Sequence, residues 1–127
     1  MFDEKLMAVG AALAEYCRKG DTYAGLDALY AENAVSVEAA AQPGGMGDTF
    51  EGIAAIRAKH DWWNGAHEDH GGEVSGPFFH GKDKFSLIFD MDVTNKEAGE
   101  RMQMREVAVY TVKDGKIVHE ECYYPVE

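Results

Sequence analysis

Three glutamates and a histidine, Glu38, Glu106, Glu120 and His60, are the groups in this chain best suited to moving protons. A carboxyl kept neutral by burial can act as an acid and one held ionised can act as a base, so such a set in an apolar hollow supports general acid–base catalysis without a cofactor. The side chains suited to shaping that hollow are Tyr16, Trp63, Phe89, Met91, Met104, Cys122 and Tyr124, the methionines giving a deformable lining. Each has a plainer reading: a glutamate near a strand end that reaches solvent, a histidine satisfied at the core boundary, and Trp62 and Trp63 as packing. His67, Glu68 and His70 resemble a metal cluster. Gly71-Gly72 follow, however, and in a strand the two histidines point to opposite faces, so no metal site is expected.

Helices and then strands must position these groups. Phe2, Leu6, Val9, Leu13 and Cys17 recur at helical spacing, and Lys19-Gly20 supply a basic last turn with a C-terminal glycine. Asp21 is the N-cap expected for a second short helix with Tyr23, Leu26, Leu29 and Tyr30 as its buried stripe. Val35, Val37 and Ala39 alternate with Ser36 and Glu38 in a strand, and Gln42 to Gly47 reads as a loop. Asp48 and Glu51 are spaced as a capping box for a third helix, whose stripe is Ile53, Ile56, His60 and Trp63. From about Glu73 the period becomes two, with Phe85, Leu87, Phe89, Met91 and Val93 on one face of a strand. Helices followed by antiparallel strands define an α+β class, a curved sheet with helices on one face.

The last hairpin decides which side chains share the inner face. A two-residue turn at Asp114-Gly115 pairs Lys113 with Lys116, whereas a three-residue turn with Gly115 in a bulge pairs Val112 with Lys116. The second avoids facing lysines and gathers Met102, Met104, Ala108, Tyr110, Val112, Val118, Cys122 and Tyr124 on one face. Glu106 and Glu120 fall on that face too. Either they line a cavity or the register is off by one residue, because an unpaired carboxylate on an apolar surface is costly.

The 127 residues suit one domain, 1–127, and carry 12 Lys+Arg against 23 Asp+Glu, a net charge of −11. That excess of acid argues against nucleic acid as a partner, and mildly against anionic ligands. No run of about 18 apolar residues offers a membrane span. The acidic start Met1-Phe2-Asp3-Glu4-Lys5 is unlike a secretory leader, and Cys17 and Cys122 lack a metal-ligand spacing, so reduced thiols and a cytoplasmic location are expected. The outward sheet face, with Ile88, Asp90, Asp92 and Arg105, mixes charge and apolar groups as a self-association surface would.

Read in order, Leu29-Tyr30-Ala31-Glu32-Asn33-Ala34-Val35, Glu51-Gly52-Ile53-Ala54-Ala55-Ile56, Gly76-Pro77 and Asp114-Gly115-Lys116-Ile117-Val118 resemble the nuclear transport factor 2-like superfamily. Within it the chain resembles the SnoaL-like and ketosteroid isomerase-like branch over nearly its whole length. The resemblance implies a cone, a strongly bent and mostly antiparallel sheet wrapped around three N-terminal helices, with a pocket for a small apolar organic molecule and a homodimer. It places the isomerases' proton-shuttling acid at Glu38, eight residues after Tyr30, and a pocket tyrosine at about His60. Their phenol donor falls near Leu13, with Tyr16 a turn away, and their protonated acid at about Ala108, so classical steroid isomerisation is not expected. Isomerase, cyclase or hydrolase chemistry remains open beside a non-catalytic binding or dimerisation module, because this fold serves both uses.

Overall fold

The computed structural model describes residues 1–126. Helix α1 (Glu4–Arg18) begins where the Asp3 carboxylate accepts a hydrogen bond from Leu6 N at 3.1 Å, and Glu4 and Arg18 complement the helix dipole at its two ends. Its stripe of Leu6, Val9 and Leu13 is buried. Helix α2 (Thr22–Leu29) crosses it at Gly25, where an added methyl would lie 3.4 Å from Tyr16 Cβ. Asp21 takes the N-cap position, but its side chain makes no capping bond.

The sheet is built from β1 (Tyr30–Gln42), β2 (Gly47–Glu51), β3 (His67–His80), β4 (Lys84–Asn95), β5 (Glu100–Lys113) and β6 (Lys116–Tyr123). Helix α3 (Ile53–Ala66) lies between β2 and β3 in the chain. The strand order is β2-β1-β6-β5-β4-β3, antiparallel throughout except for the parallel β1–β6 pair. The result is the expected α+β architecture, three helices with a curved, open sheet. Leu6, Leu26, Ile56, Phe85, Leu87 and Ile117 form the fully buried centre, and Phe85 stacks on Tyr110 with ring centroids 4.8 Å apart. Arg18 fastens the end of α1 to β3 by donating to the carbonyls of Val74 at 3.1 Å and Gly76 at 2.8 Å.

Four local expectations are corrected. Asp48 and Glu51 do not cap the third helix; they lie in β2, which pairs with β1, and α3 starts after Gly52 with no side-chain cap. Gly52 takes that place because its φ of 90° is a conformation other residues avoid. The third sheet strand starts at His67 rather than about Glu73, and a shift in pairing between Asp69 and Gly71 breaks the alternation that sequence periodicity relies on. The final turn is the two-residue form: Lys113 pairs with Lys116, with Asp114 at φ 53° and Gly115 at φ 76°. Next, Val112 pairs with Ile117 and Thr111 with His119, leaving Val118 as an extra residue. Ile117, not Val118, therefore fills the buried position, yet Glu120 and Cys122 still face inward, opposite Tyr110 and Ala108.

At the β3 irregularity, Gly72 runs so close to β4 that a Cβ would overlap the Asp90 carbonyl oxygen. Gly72→Ala should therefore destabilise the protein by about 1–3 kcal/mol, read as a lower urea midpoint. An unchanged midpoint would show that the strands can part there freely.

Candidate active site

The site begins with a reversal on β1: Ala34, Ser36 and Glu38 face the helices while Val35 and Val37 face the other side. Ser36 and Glu38 point inward because a cation meets them. Lys59, one turn after Ile56 on α3, donates from Nζ to Ser36 Oγ at 2.6 Å and to Glu38 Oε2 at 2.9 Å, and its Nζ lies 3.9 Å from Glu120 Oε1. Glu120 is held in turn by the Tyr30 hydroxyl, which donates to its Oε2 at 2.6 Å. Tyr124 donates to the other oxygen of Glu38 at 3.1 Å and accepts from Gln42 Nε2 at 3.0 Å.

Electrostatics separate the carboxyls. Glu106, on β5, makes no ion pair among the described residues; burial first, and then the charge of Glu38, raise its pKa to about 7. Burial acts to lower the Lys59 pKa, but Glu120 and Glu38 outweigh it, so the ammonium is held more firmly than usual. His60 is pulled below its ordinary range by burial, which leaves a neutral imidazole near neutral pH. Burial also raises both thiols, Cys17 to about 12 and Cys122 further, so neither is a ready nucleophile.

These groups open onto a cavity of about 990 Å³ between the helices and the concave sheet. Glu38, His60, Glu106 and Glu120 all line it, as do Trp63, Phe89, Met91, Met104, Cys122 and Tyr124. Tyr16 does not; it packs at the crossing of α1 and α2, and the phenols at the cavity are Tyr23, Tyr30, Tyr110 and Tyr124. Trp63 stacks on His67 with centroids 3.8 Å apart, while His70, at the pairing irregularity, bonds Thr94 Oγ1, so the two histidines have different partners.

Sequence reading missed Lys59, Ser36, Tyr30 and Tyr110 as site residues. Lys59 was detectable: it stands three residues after Ile56 and four before Trp63, on the face already identified as buried. Glu38, Glu106 and Cys122 bring donor atoms within 4.8 Å of one another, the arrangement a metal would need. Lys59 already supplies positive charge to Glu38 and would repel an ion there, so the trio suits proton exchange better than metal ligation.

The curved sheet with helices on its concave face is a fold that solved structures share. The chain matches a cystatin-like-fold protein from Xanthomonas campestris (TM-score 0.74, 14% identity, covering 95% of this chain and 91% of that one). It also matches a nuclear transport factor 2-like protein from Burkholderia pseudomallei (0.76, 18%, 97% and 92%). Residues 7–124 match the SnoaL-like domain, and the chain belongs to that family. It is 39% identical to a candidate SnoaL-like polyketide cyclase from Mesorhizobium loti, covering 94% of this chain and 98% of that one, with a TM-score of 0.86. No curated protein matches the chain.

The raised Glu106 carboxyl makes stability depend on pH with a definite sign. Unfolded chains lose this proton near the ordinary 4.5 while the folded protein keeps it to about 7, so stability falls as pH rises through that window. The loss is about 3 kcal/mol. Glu106→Gln should lack it, so urea unfolding of the variant and of wild type should diverge in the variant's favour between the two pH values. Parallel curves would place an ordinary carboxyl at Glu106.

Proposed function

We propose that this SnoaL-like protein catalyses proton transfer on a small, mostly apolar organic molecule held in the cavity, using its own side chains as acid and base. One observation carries the reading: two neighbouring carboxyls stand in opposite environments, Glu38 against the Lys59 ammonium and the half-buried Glu106 without an ion-pair partner among the described residues. Such a division assigns the base to Glu38 and the acid to Glu106. In the simplest step Glu38 takes a proton from the carbon beside a carbonyl. The C–H electrons become a carbon–carbon double bond, the carbonyl π electrons move to oxygen, and that oxygen takes the Glu106 proton to give an enol. Where a carbon–carbon double bond is conjugated with the enol, delivery of the Glu38 proton to its far carbon and return of the enol proton to Glu106 isomerises the molecule. Alternatively the enol carbon attacks a second carbonyl, the enol proton returns to Glu106, and the new alkoxide takes the proton from Glu38 to close a ring. The cyclase description of the Mesorhizobium loti relative supports this class. His60 lies within the same cavity as a neutral relay, while Tyr30 and Glu120 fix Lys59.

The test is α-hydrogen exchange of 1-tetralone in deuterated buffer, followed by NMR. Wild type should accelerate it, and Glu38→Gln should lose about a hundred- to ten-thousand-fold of that acceleration. If wild type leaves the background rate unchanged across a panel of ring ketones, the catalytic reading falls and a binding module remains.

A second reading concerns the outer sheet face, where Val35, Val37, Ile88, Val107 and the exposed Tyr123 lie in adjoining strands. We infer that a second copy covers it. The paired charges Asp90–Arg105 and Asp92–Arg101 beside the apolar groups are complemented by the same set on a two-fold partner. Light scattering at micromolar concentration should give twice 14.0 kDa; a mass of one chain would remove this surface from consideration. No helix among the described residues is long and apolar enough to cross a membrane, and the two free thiols suit a reducing compartment such as the cytoplasm.

A further inference from the structure

Tyr110 is the buried polar side chain that the proton-transfer scheme leaves unused. Its ring is 3% exposed, stacks on Phe85 and lines the cavity from the middle of β5. Its neighbour across the strands, Glu120, is already taken by Tyr30, and among the described residues the Tyr110 hydroxyl has no hydrogen-bond partner. Every side-chain nitrogen or oxygen that is sealed from solvent has one. The Tyr110 hydroxyl therefore opens onto the hollow, in the free protein as a donor for water.

We infer that Tyr110 is a ligand-contacting hydrogen-bond donor, and that the molecule taken by this cavity carries an acceptor oxygen, a ring carbonyl or hydroxyl, positioned to receive it. A buried donor with no internal partner favours a ligand that satisfies it and discriminates against the deoxy analogue. This oxygen is distinct from the carbonyl that Glu106 would protonate. Residues 106 and 110 are four apart on one uninterrupted strand, roughly 13 Å between their Cα atoms, so the two donors mark separate points along a ligand oxygenated at both ends. The inference rests on the cavity's being a ligand site; it does not require turnover.

The probes are 6-hydroxy-1-tetralone and its deoxygenated skeleton tetralin, with binding read by the fluorescence of Trp62 and Trp63, which also line the cavity. Wild type should bind the hydroxyketone about tenfold or more tightly than tetralin. Tyr110→Phe should weaken hydroxyketone binding about five- to tenfold and leave tetralin binding unchanged. Its thermal midpoint should not fall, because no internal hydrogen bond is lost. Equal weakening of both probes, or of neither, overturns the inference while the cavity reading stands; so does a lowered midpoint, which would show that the hydroxyl has an internal partner. If wild type binds neither probe, the cavity reading and this inference fall together.

Discussion

The buried ammonium of Lys59 constrains everything around it. Taking a charge out of water costs several kcal/mol, and that cost is offset only by partners in good geometry. Here they come from two strands: Ser36 and Glu38 on β1 and Glu120 on β6. Helix α3 can therefore dock on the sheet in only one place, above the parallel pair. Satisfying Lys59 ties Glu38 into an ion pair and occupies Glu120, which Tyr30 holds from the other side. The groups outside this network, Glu106 and Tyr110, both stand on β5, two residues either side of Ala108 on the inward face. They keep their protons and face the hollow. The chemistry available to a ligand is thus what the ion-pair network does not consume.

The amino-acid pattern exposed much of this. The α1 stripe, the β4 alternation and the inward course of Glu106, Ala108 and Tyr110 follow from periodicity alone, because each element buries one face and repeats regularly. Glu106 and Glu120 were identifiable as acids on an apolar face, and Glu38 through the resemblance to the ketosteroid isomerases. What was not legible depends on events without a period. The strand β2 is five residues long and was absorbed into the expected cap of α3. The start of β3 is masked by its pairing irregularity at Gly71-Gly72. Lys59 and Ser36 were passed over for another reason: each is polar, and solvent is the ordinary place for a lysine, so only the partner across the cavity shows why it points inward. Tyr16 failed as a cavity residue because the α1–α2 crossing places it beside Gly25 instead.

The same physical logic explains why an acidic chain can hold a catalytic-looking carboxyl in a neutral state. Burial disfavours the charged form of a carboxyl, and it is the largest cause of the raised Glu106 value. At Glu106 that cost is joined by the local absence of an ion-pair partner among the described residues and by Glu38 within a few ångströms. Two carboxyls so close cannot both ionise cheaply, and the ammonium decides between them, since it touches one and not the other. The acid and base roles proposed for them therefore rest on where a single nitrogen sits, and not on any intrinsic difference between two glutamates.

That nitrogen's position depends on one residue of β6. The tight turn at Asp114-Gly115 sets Val112 opposite Ile117, and if pairing continued unbroken His119 would face Tyr110, with Glu120 on the outer surface beside Val109. Lys59 would then lose one of its two carboxylates, and Tyr30 its acceptor. The extra residue at Val118 turns the strand over once and brings Glu120 back inside. The three-residue turn expected from sequence reaches the same face by a different route, placing Glu120 opposite Ala108 and not Tyr110; it misassigns the turn and keeps the parity. Parity is what the site needs. A bulge at a sheet position with no evident local function is here the element that allows a charged core to exist, because it aligns a carboxylate on one strand with an ammonium on a helix.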